Sequence, residues 1–299
     1  MPFAGDIPTS PTTFADRVSR FEHVTAALGR LAYTNASMRG WFSVLALVLV
    51  SCGAFDDGEA PPQVTEQDRL EFKMLTKEQT FDDCLAGADG CTYVRLDYPV
   101  LIDAPEGYAV TAVTESVFSS LTDNYGDEEP YPSVDALMQA FIDEYRRLKR
   151  DQPSYEHAWF LERKVFVLRN TPEILSTSLS EHMFTGGAQA MATVTFSNLD
   201  PRTGEIVRLA DVLVEDYEAE LLPLAEARFR EVRGIEDGMS LTDAGFTLFE
   251  DGIFALTDNF TIGDDELTFY YNAYEVAPYA LGSTEIVLSY DELNGLLKE

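Results

Sequence analysis

The residue types that most often carry catalysis are scarce in this chain. Its three histidines are His23, His157 and His182. There is no His-Glu-x-x-His zinc motif, no Gly-x-Ser-x-Gly nucleophile motif and no glycine-rich phosphate loop. A histidine-dependent mechanism would have to use His157 or His182, and both are more simply interpreted as strand residues. The sequence therefore predicts a protein that is not an enzyme and that uses no cofactor or metal.

Carboxylates are the catalytic groups that the chain has in excess. It contains 52 Asp and Glu against 21 Lys and Arg, which gives a formal net charge of −31 at pH 7. Paired carboxylates hydrolyse glycans, so a carboxylate-dependent glycan hydrolase is the alternative function. The acidic loops at residues 123–129 and 264–266 could hold calcium. Neither has the spacing of an EF-hand, and solvated turns are the simpler interpretation.

The charge balance excludes one class of partner. A strongly negative protein repels nucleic acid and anionic lipid headgroups, so DNA or RNA binding is excluded. A basic partner is one explanation of the acidity, and solubility in high salt is the other. Because 45% of the residues are hydrophobic and 12% aromatic, the chain can bury a core and is not disordered by composition.

The most hydrophobic stretch of the chain lies near its start, at residues 41–52. The uncharged run around it, residues 40–55, falls short of the roughly 20 residues that a helix needs to span a bilayer. Its length suits the hydrophobic region of a secretory signal, and Arg30 and Arg39 supply the positive flank. We therefore expect a signal peptide and an exported protein.

The end of this run has a more specific pattern. Leu49, Val50, Ser51 and Cys52 resemble the bacterial lipobox, in which small or aliphatic residues precede a cysteine that is lipidated and becomes the new N-terminus. The resemblance implies that acyl chains on Cys52 anchor the mature protein in the bacterial cell envelope. The outer membrane is the expected location, at its periplasmic face or at the cell surface. The alternative is an ordinary buried segment that ends in a core cysteine.

The signal peptide divides the chain into segments. A long extension before a signal is unusual, so we interpret residues 1–37 as a mis-assigned start and expect initiation among residues 18–28. Residues after Cys52 are rich in Gly, Pro, Asp and Glu, which is typical of a flexible acidic tether. The expected segments are a leader at 1–51, a tether at 52–67, a smaller subdomain at 68–151 and a larger one at 152–299.

Cys84 and Cys91 are the two cysteines that remain once Cys52 is assigned to the lipobox. In an exported protein, two cysteines this close in sequence most often form a local disulfide. A metal-binding pair is the alternative, but no histidine lies nearby and no second cysteine pair exists. We therefore predict a structural disulfide that closes the loop before a strand.

Hydrophobic periodicity predicts an α+β fold, with antiparallel sheets, helices packed on one face and two contiguous subdomains. Alternation predicts a strand from Thr92 to Ile102. Helical spacing follows from Val110 to Leu121, and Ser133 can cap a second helix. The remaining predicted elements are strands at residues 157–169, 174–184, 188–199, 205–209, 267–271 and 286–288, a helix at 216–232 interrupted by Pro223, and a short helix at 290–297.

Several motifs in the second half of the chain resemble a known bacterial domain. They are Thr185-Gly186-Gly187-Ala188-Gln189, Asn198-Leu199-Asp200, Leu209-Ala210-Asp211-Val212-Leu213, Asn259-Phe260-Thr261-Ile262, Tyr271-Asn272 and Tyr274-Glu275-Val276-Ala277-Pro278-Tyr279. They are similar to the domain of unknown function in the extracellular part of RsiV, an anti-sigma factor that binds lysozyme. The same domain precedes the catalytic domain of the peptidoglycan deacetylase PdaC. The resemblance covers about residues 80–297, including the smaller domain that commonly precedes it.

The resemblance implies a non-catalytic domain that binds peptidoglycan or a cell-wall hydrolase such as lysozyme. The sequence shows neither a deacetylase domain nor a sigma-binding segment, so those two roles do not carry over. Gln189 stands where the family often has a histidine, which removes any role that depends on that imidazole. A structural envelope protein without a specific ligand is a further alternative.

The candidate ligand-binding residues come from two of these motifs. Tyrosines with a neighbouring amide and carboxylate offer stacking faces and hydrogen bonds to a glycan or a protein. The two glycines allow close approach of backbones or of a ligand. Core packing is the competing explanation, which we expect for about half of the tyrosines. The candidates are Gly186, Gly187, Gln189, Tyr271, Asn272, Tyr274, Glu275 and Tyr279.

Overall fold

The computed structural model describes residues 68–124 and 129–298. Within these ranges it contains eight strands and four helices, which confirms the predicted α+β class. The leader at residues 1–51, Cys52 with its lipobox, and the tether at residues 52–67 lie outside the described residues. None of the helices in the described ranges combines the length and the hydrophobicity that a membrane-spanning helix needs.

Five strands form the first sheet, in the spatial order β1-β2-β3-β4-β5. All neighbours are antiparallel except β2 and β3, which are parallel. Two helices connect β2 to β3, as a parallel pair requires a crossover rather than a hairpin. The elements are β1 (Glu71–Thr80), β2 (Tyr93–Asp103), α1 (Val110–Thr122), α2 (Val134–Asp151), β3 (Phe160–Asn170), β4 (Leu175–Phe184) and β5 (Met191–Leu199).

The two crossover helices pack on one face of the first sheet, as the sequence predicts. Alternation along β2 places Val94 and Leu96 on this face, and both are fully buried. They pack with Leu121 of α1 and with Leu137 and Ile142 of α2 in one hydrophobic cluster. The apolar residues that alternate along β2 and those that recur at helical spacing in α1 and α2 therefore pack in one core.

Helix α2 begins and ends as its sequence predicts. The Ser133 hydroxyl accepts a hydrogen bond from the backbone N–H of Ala136, at 3.1 Å, and so caps the first turn. Asp135 lies in the first turn and Lys149 and Arg150 in the last, where their charges complement the helix dipole.

A second sheet and a second core occupy the C-terminal part of the chain. Strands β6 (Phe260–Ile262), β7 (Glu266–Tyr271) and β8 (Thr284–Ser289) form an antiparallel sheet with β7 in the centre. After the short helix α3 (Leu209–Val212), helix α4 (Glu218–Arg233) buries one stripe in the second core. That stripe consists of Leu221, Ala225 and Phe229, spaced four residues apart.

The predicted interruption at Pro223 is wrong, because α4 continues through this residue. Proline has no N–H, so it cannot donate to the carbonyl of Ala219. The lost bond lies near the N-terminal end of the helix, and the next ten residues remain helical. The helix ends at Gly234, whose left-handed conformation (φ 62°) forms the C-cap.

Other elements differ from the sequence prediction, among them the short elements α3 and β6, which were not predicted. The predicted strand at 205–209 is reduced to one bridge between Leu199 and Ile206. The predicted helix at 290–297 is a series of turns, in which Gly295 adopts φ 85°, outside the helical region. Strand β1 was not predicted, because it is exposed on both faces for most of its length and shows no alternation.

The expected subdomain boundary after residue 151 falls at the end of α2. The first sheet extends across this boundary, since β2 precedes it and its parallel neighbour β3 follows it. The second core is formed entirely by residues after the boundary, from Leu213 to Leu296.

Candidate functional site

Strand β5 ends the first sheet, and asparagine side chains bond its outer edge. The carbonyl of Val194 accepts hydrogen bonds from Asn259 Nδ2, at 2.8 Å, and from Asn272 Nδ2, at 3.0 Å. The N–H of Val194 donates to Asn272 Oδ1, and the N–H of Phe196 donates to Asn259 Oδ1, both at 2.8 Å. These two side chains take the place of a neighbouring strand and fix the chain at residues 259 and 272 against the first sheet.

A third asparagine joins β5 to the second sheet. Asn198 Nδ2 donates to the carbonyl of Phe260 at 2.9 Å, and Asn198 Oδ1 accepts from the N–H of Ile262 at 3.1 Å. The Ser176 hydroxyl donates to the carbonyl of Ile262 at 2.9 Å. Sequence analysis did not identify this role. The available signal was the two-residue spacing of Val194, Phe196 and Asn198, which places the amide of Asn198 on the buried face of β5.

Asn272 begins a tight turn that places Tyr274 at the surface. The N–H of Glu275 donates to the carbonyl of Asn272 at 3.1 Å, which closes a β-turn. Tyr274 is the third residue of this turn and has φ 74°, a left-handed conformation that side chains rarely adopt. Its side chain is 51% exposed. The turn therefore holds a large aromatic ring in solvent at the expense of backbone strain.

The turn meets the loop between β4 and β5. The rings of Tyr274 and Tyr279 lie 5.4 Å apart, and Gln189 Nε2 donates to the Tyr274 hydroxyl at 3.4 Å. The Tyr279 hydroxyl donates to the carbonyl of Ala190 at 2.9 Å. Gln189 and Glu275 are exposed, and Tyr279 is half-buried. We call Gln189, Tyr274, Glu275 and Tyr279 the tyrosine rim.

Tyr271 is not part of this surface. It is 2% exposed, and its ring packs among Phe229, Phe249 and Phe254 in the second core. Its hydroxyl donates to the carbonyl of Ala255 at 2.8 Å, and burial raises its pKa. Tyr271 is a core residue, as the competing explanation predicts for some of the tyrosines. Asn272 binds Val194 and Glu275, so it positions the rim and is not free for a ligand.

The two candidate glycines precede the rim in the loop from β4 to β5. Gly186 and Gly187 have φ 102° and 110°, which favours glycine at both positions. Gly186 also lies against the hydroxyl of Tyr155, which accepts a hydrogen bond from Trp159 Nε1 at 2.9 Å. Gly187 has open space around it. Gly186 therefore has a packing role, whereas Gly187 shapes the loop that carries Gln189.

The predicted disulfide between Cys84 and Cys91 is present. It closes the loop before β2, and Cys91 is buried with Ala86 and Tyr93 in a small cluster. A cross-link over so short a loop restricts the unfolded chain and fixes the loop against the sheet. This bond has a structural role in the molecule.

The two histidines of the described residues both pack against phenylalanine rings. His182 lies 4.7 Å from the ring of Phe160, and His157 lies 6.5 Å from that of Phe184. His182 is in β4, as predicted, whereas His157 precedes β3. Within residues 68–124 and 129–298, no three His, Cys, Asp or Glu side chains are grouped as metal ligands would be.

A cavity of about 300 Å³ lies between the end of α1 and the first sheet. A charged pair is buried beside it: Arg163 is 3% exposed and Glu181 4%, and Arg163 Nε donates to Glu181 Oε2 at 2.7 Å. Arg163 Nη1 also donates to the carbonyls of Leu121 and Asp123, at 2.5 and 3.0 Å, and so satisfies the C-terminal end of α1.

Burial is the main influence on the ionisation of this pair. It raises the pKa of Glu181, and the nearby Asp123 carboxylate adds to this effect. It lowers the pKa of Arg163, because the guanidinium also loses its contact with water. Sequence analysis missed the pair, although Arg163 stands between Leu161 and Val165, at a position where alternation demands a buried residue.

Comparisons with known proteins identify a domain but no activity. Residues 210–291 match the family model of DUF3298, a protein of unknown function. This range includes the motifs at residues 259–262 and 274–279 that carry the resemblance seen in the sequence. No curated protein matches the chain.

Two solved structures have the same fold. A DUF3298 family member from Bacteroides fragilis superposes with a TM-score of 0.60 at 21% identity, over 77% of this chain and 94% of that one. A DUF3298 family protein from Pseudomonas aeruginosa gives 0.56 at 23% identity, over 78% and 96%. At these identities the likeness shows the fold alone. Residues 210–291 therefore match the DUF3298 model within a fold that the chain shares with two solved members of that family.

Proposed function

We propose that the chain is a cell-envelope lipoprotein whose folded part is a non-catalytic binding domain, which engages peptidoglycan or a cell-wall hydrolase such as lysozyme. The tyrosine rim is the observation that carries this proposal. In this account Cys52 holds the lipid anchor at the outer membrane, and the rim faces the partner.

The rim has the properties of a protein or glycan contact. Tyrosine is enriched at interfaces, because its ring buries a large area while its hydroxyl keeps a hydrogen bond. Tyr279 is held by the carbonyl of Ala190 and Tyr274 by its turn and by Gln189. Two rings fixed in this way lose little conformational entropy when a partner binds.

The charge of the chain supports a basic partner. At −31 it attracts cationic proteins over long distances and accelerates their association. Glu275 places a carboxylate within the rim itself. Lysozyme is such a partner, and the resemblance to the RsiV ectodomain favours it. The resemblance to PdaC favours peptidoglycan.

The test titrates the purified protein with lysozyme at physiological salt and at about 1 M salt, where the Debye length falls to roughly 3 Å. A parallel experiment measures sedimentation of the protein with insoluble peptidoglycan. We expect binding to one of the two that persists at high salt. Lysozyme binding that disappears at high salt, together with no sedimentation, would contradict the proposal and favour a structural envelope protein.

A carboxylate-dependent glycan hydrolase is the second candidate, because Asp123 and Glu181 line the same cavity. The hydrogen bond from Arg163 holds Glu181 as an ion-pair partner, which argues against a role as general acid. Incubation of the protein with purified peptidoglycan distinguishes a hydrolase from a non-catalytic binding domain. Release of reducing ends by the wild type, lost in Asp123→Asn, would favour the hydrolase over the binding domain.

A further inference from the structure

The cavity beside Arg163 has a floor formed by the first sheet. In the register of the sheet, Arg163 of β3 pairs with Glu181 of β4, which pairs with Thr193 of β5. In the next row Leu179 pairs with Thr195. Directly paired residues share one face of an antiparallel sheet, so these side chains form one continuous surface. Helices α1 and α2 pack on this same face of the sheet, and the cavity lies next to the C-terminal end of α1.

The end of α1 forms a wall of the cavity. Ser119, Ser120 and Asp123 line it from this side, and Pro130 lines it from the chain that follows. The hydroxyls of Ser119 and Ser120 both donate to the carbonyl of Ser116, at 3.1 Å. A hydroxyl that donates in this way still has lone pairs, so both serines present acceptors.

The threonine hydroxyls on the sheet side of the cavity can both donate and accept hydrogen bonds. The hydroxyls of Thr193 and Thr195 make no hydrogen bond with any residue that the structure describes, and Thr195 is exposed. Each can donate one hydrogen bond and accept others. Leu179 and Pro130 add apolar surface between these groups.

The charges of the cavity restrict the ligand further. Arg163 is the one cation of the described lining, and it lies beside the carboxyl groups of Glu181 and Asp123. An anionic ligand is therefore disfavoured, and the negative charge of the whole chain acts in the same direction. A neutral ligand with many hydroxyl groups fits this lining. It could donate hydrogen bonds to the serines, exchange them with the threonines, and place a C–H face on the small apolar patch.

We propose that this cavity binds one ring of a neutral saccharide. Its volume of about 300 Å³ lies at the lower end of the range for ligand pockets, about 300–1,000 Å³, which suits a single ring rather than a long chain. The buried pair of Arg163 and Glu181 keeps the floor rigid, because it ties β3 and β4 to the end of α1. The proposal does not depend on the tyrosine rim. The rim is formed by the loop before β5 and the turn after β7, and none of its residues lines the cavity.

The experiment titrates the full chain with two probes, chitotetraose and maltotetraose, by calorimetry. These probes distinguish an N-acetylated glycan from a plain glucan as the source of the ring. We expect saturable binding of at least one probe. The double variant Thr193→Val/Thr195→Val keeps the side-chain shape, removes both hydroxyls and weakens binding by about tenfold or more. Thr111→Val, at an exposed position of α1 outside the cavity, serves as the matched control and keeps wild-type affinity.

Ser120→Ala lowers saccharide affinity without changing a strand residue. Lysozyme affinity at about 1 M salt separates this site from the rim, because the Thr193/Thr195 double variant leaves that affinity unchanged. Thermal unfolding of each variant verifies that it folds. Failure of both probes to bind, or binding that the Thr193/Thr195 double variant leaves intact, would overturn the proposal without affecting the rim.

Discussion

Asn259 and Asn272 donate to the same acceptor, the carbonyl oxygen of Val194, from two separate loops. These bonds satisfy the backbone of β5 at the outer edge of the first sheet, where no further strand pairs with it. They also fix the turn that carries Tyr274. The tyrosine rim, the proposed binding surface, therefore depends on amide side chains that face β5.

The first prediction concerns this edge. Asn259→Ala removes the acceptor for the N–H of Phe196 and one of the two donors to the carbonyl of Val194, so the bonding of two buried residues of β5 is weakened. We expect the free energy of unfolding to fall by about 1–3 kcal/mol, measured by urea denaturation. Asn294→Ala, at an exposed position in the C-terminal turns, is the matched control and should change it little. Equal stability of the two variants would show that the amide bonds do not hold the edge.

The second prediction separates backbone strain from packing at the two glycines. A Cβ on Gly186 would lie 2.6 Å from the Tyr155 hydroxyl oxygen, whereas a Cβ on Gly187 meets nothing within 4 Å. Both Ala variants strain a positive φ, which costs about 1–2 kcal/mol. We expect Gly186→Ala to destabilise more than Gly187→Ala, and Tyr155→Phe to reduce the difference in a double-mutant cycle. If the two Ala variants lose the same stability, the contact with Tyr155 has no energetic effect.

The third prediction uses the left-handed conformation of Tyr274. Glycine adopts φ 74° without strain, whereas alanine retains the Cβ that causes it. We expect Tyr274→Gly to unfold at a higher urea concentration than Tyr274→Ala, by about 1 kcal/mol in free energy. At an unstrained position the order is reversed, because glycine loses more entropy on folding. Observation of that usual order would rule out strain in the turn.

The fourth prediction concerns the buried charge pair. In Arg163→Met, burial still raises the pKa of Glu181, but the guanidinium no longer stabilises the carboxylate. The folded variant then holds a proton that the unfolded chain releases above the ordinary carboxyl pKa of 4.5. The variant is therefore least impaired at low pH, and its loss of stability grows as pH rises through the raised folded-state pKa.

Urea denaturation of Arg163→Met between pH 5 and pH 8.5 measures this growth, which we expect to reach about 3–5 kcal/mol. The double variant Arg163→Met/Glu181→Gln removes the titrating group, so its own stability should not fall over this pH range as that of Arg163→Met does. A penalty in the single variant that stays constant over this range would mean that Glu181 is not desolvated in the folded protein.

Local patterns of the sequence predicted a large part of this fold. The alternation of Val94 and Leu96, the cap at Ser133 and the spacing of Cys84 and Cys91 are each decided by near neighbours in the chain. Strand β1 was missed because its side chains are exposed on both faces, so its pairing with β2 leaves no pattern.

The candidate site was predicted less completely, because distant residues decide it. Gln189, Tyr274 and Tyr279 come together across the junction between two sheets, and the motifs that contain them were identified. Whether a tyrosine faces solvent or core depends on that junction, which explains why Tyr271 is buried while Tyr274 is exposed. Arg163 and Glu181 are close only through the register of β3 and β4.

The central claim is that the tyrosine rim is the binding surface. The most direct measurement compares wild type with Tyr274→Ala for affinity to lysozyme and to peptidoglycan at about 1 M salt, where unspecific charge attraction is screened. Leu85→Ala removes another exposed apolar side chain and serves as the control. We predict that Tyr274→Ala weakens binding about tenfold or more while Leu85→Ala does not. Equal affinities for Tyr274→Ala and wild type, in a variant that remains folded, would contradict the account.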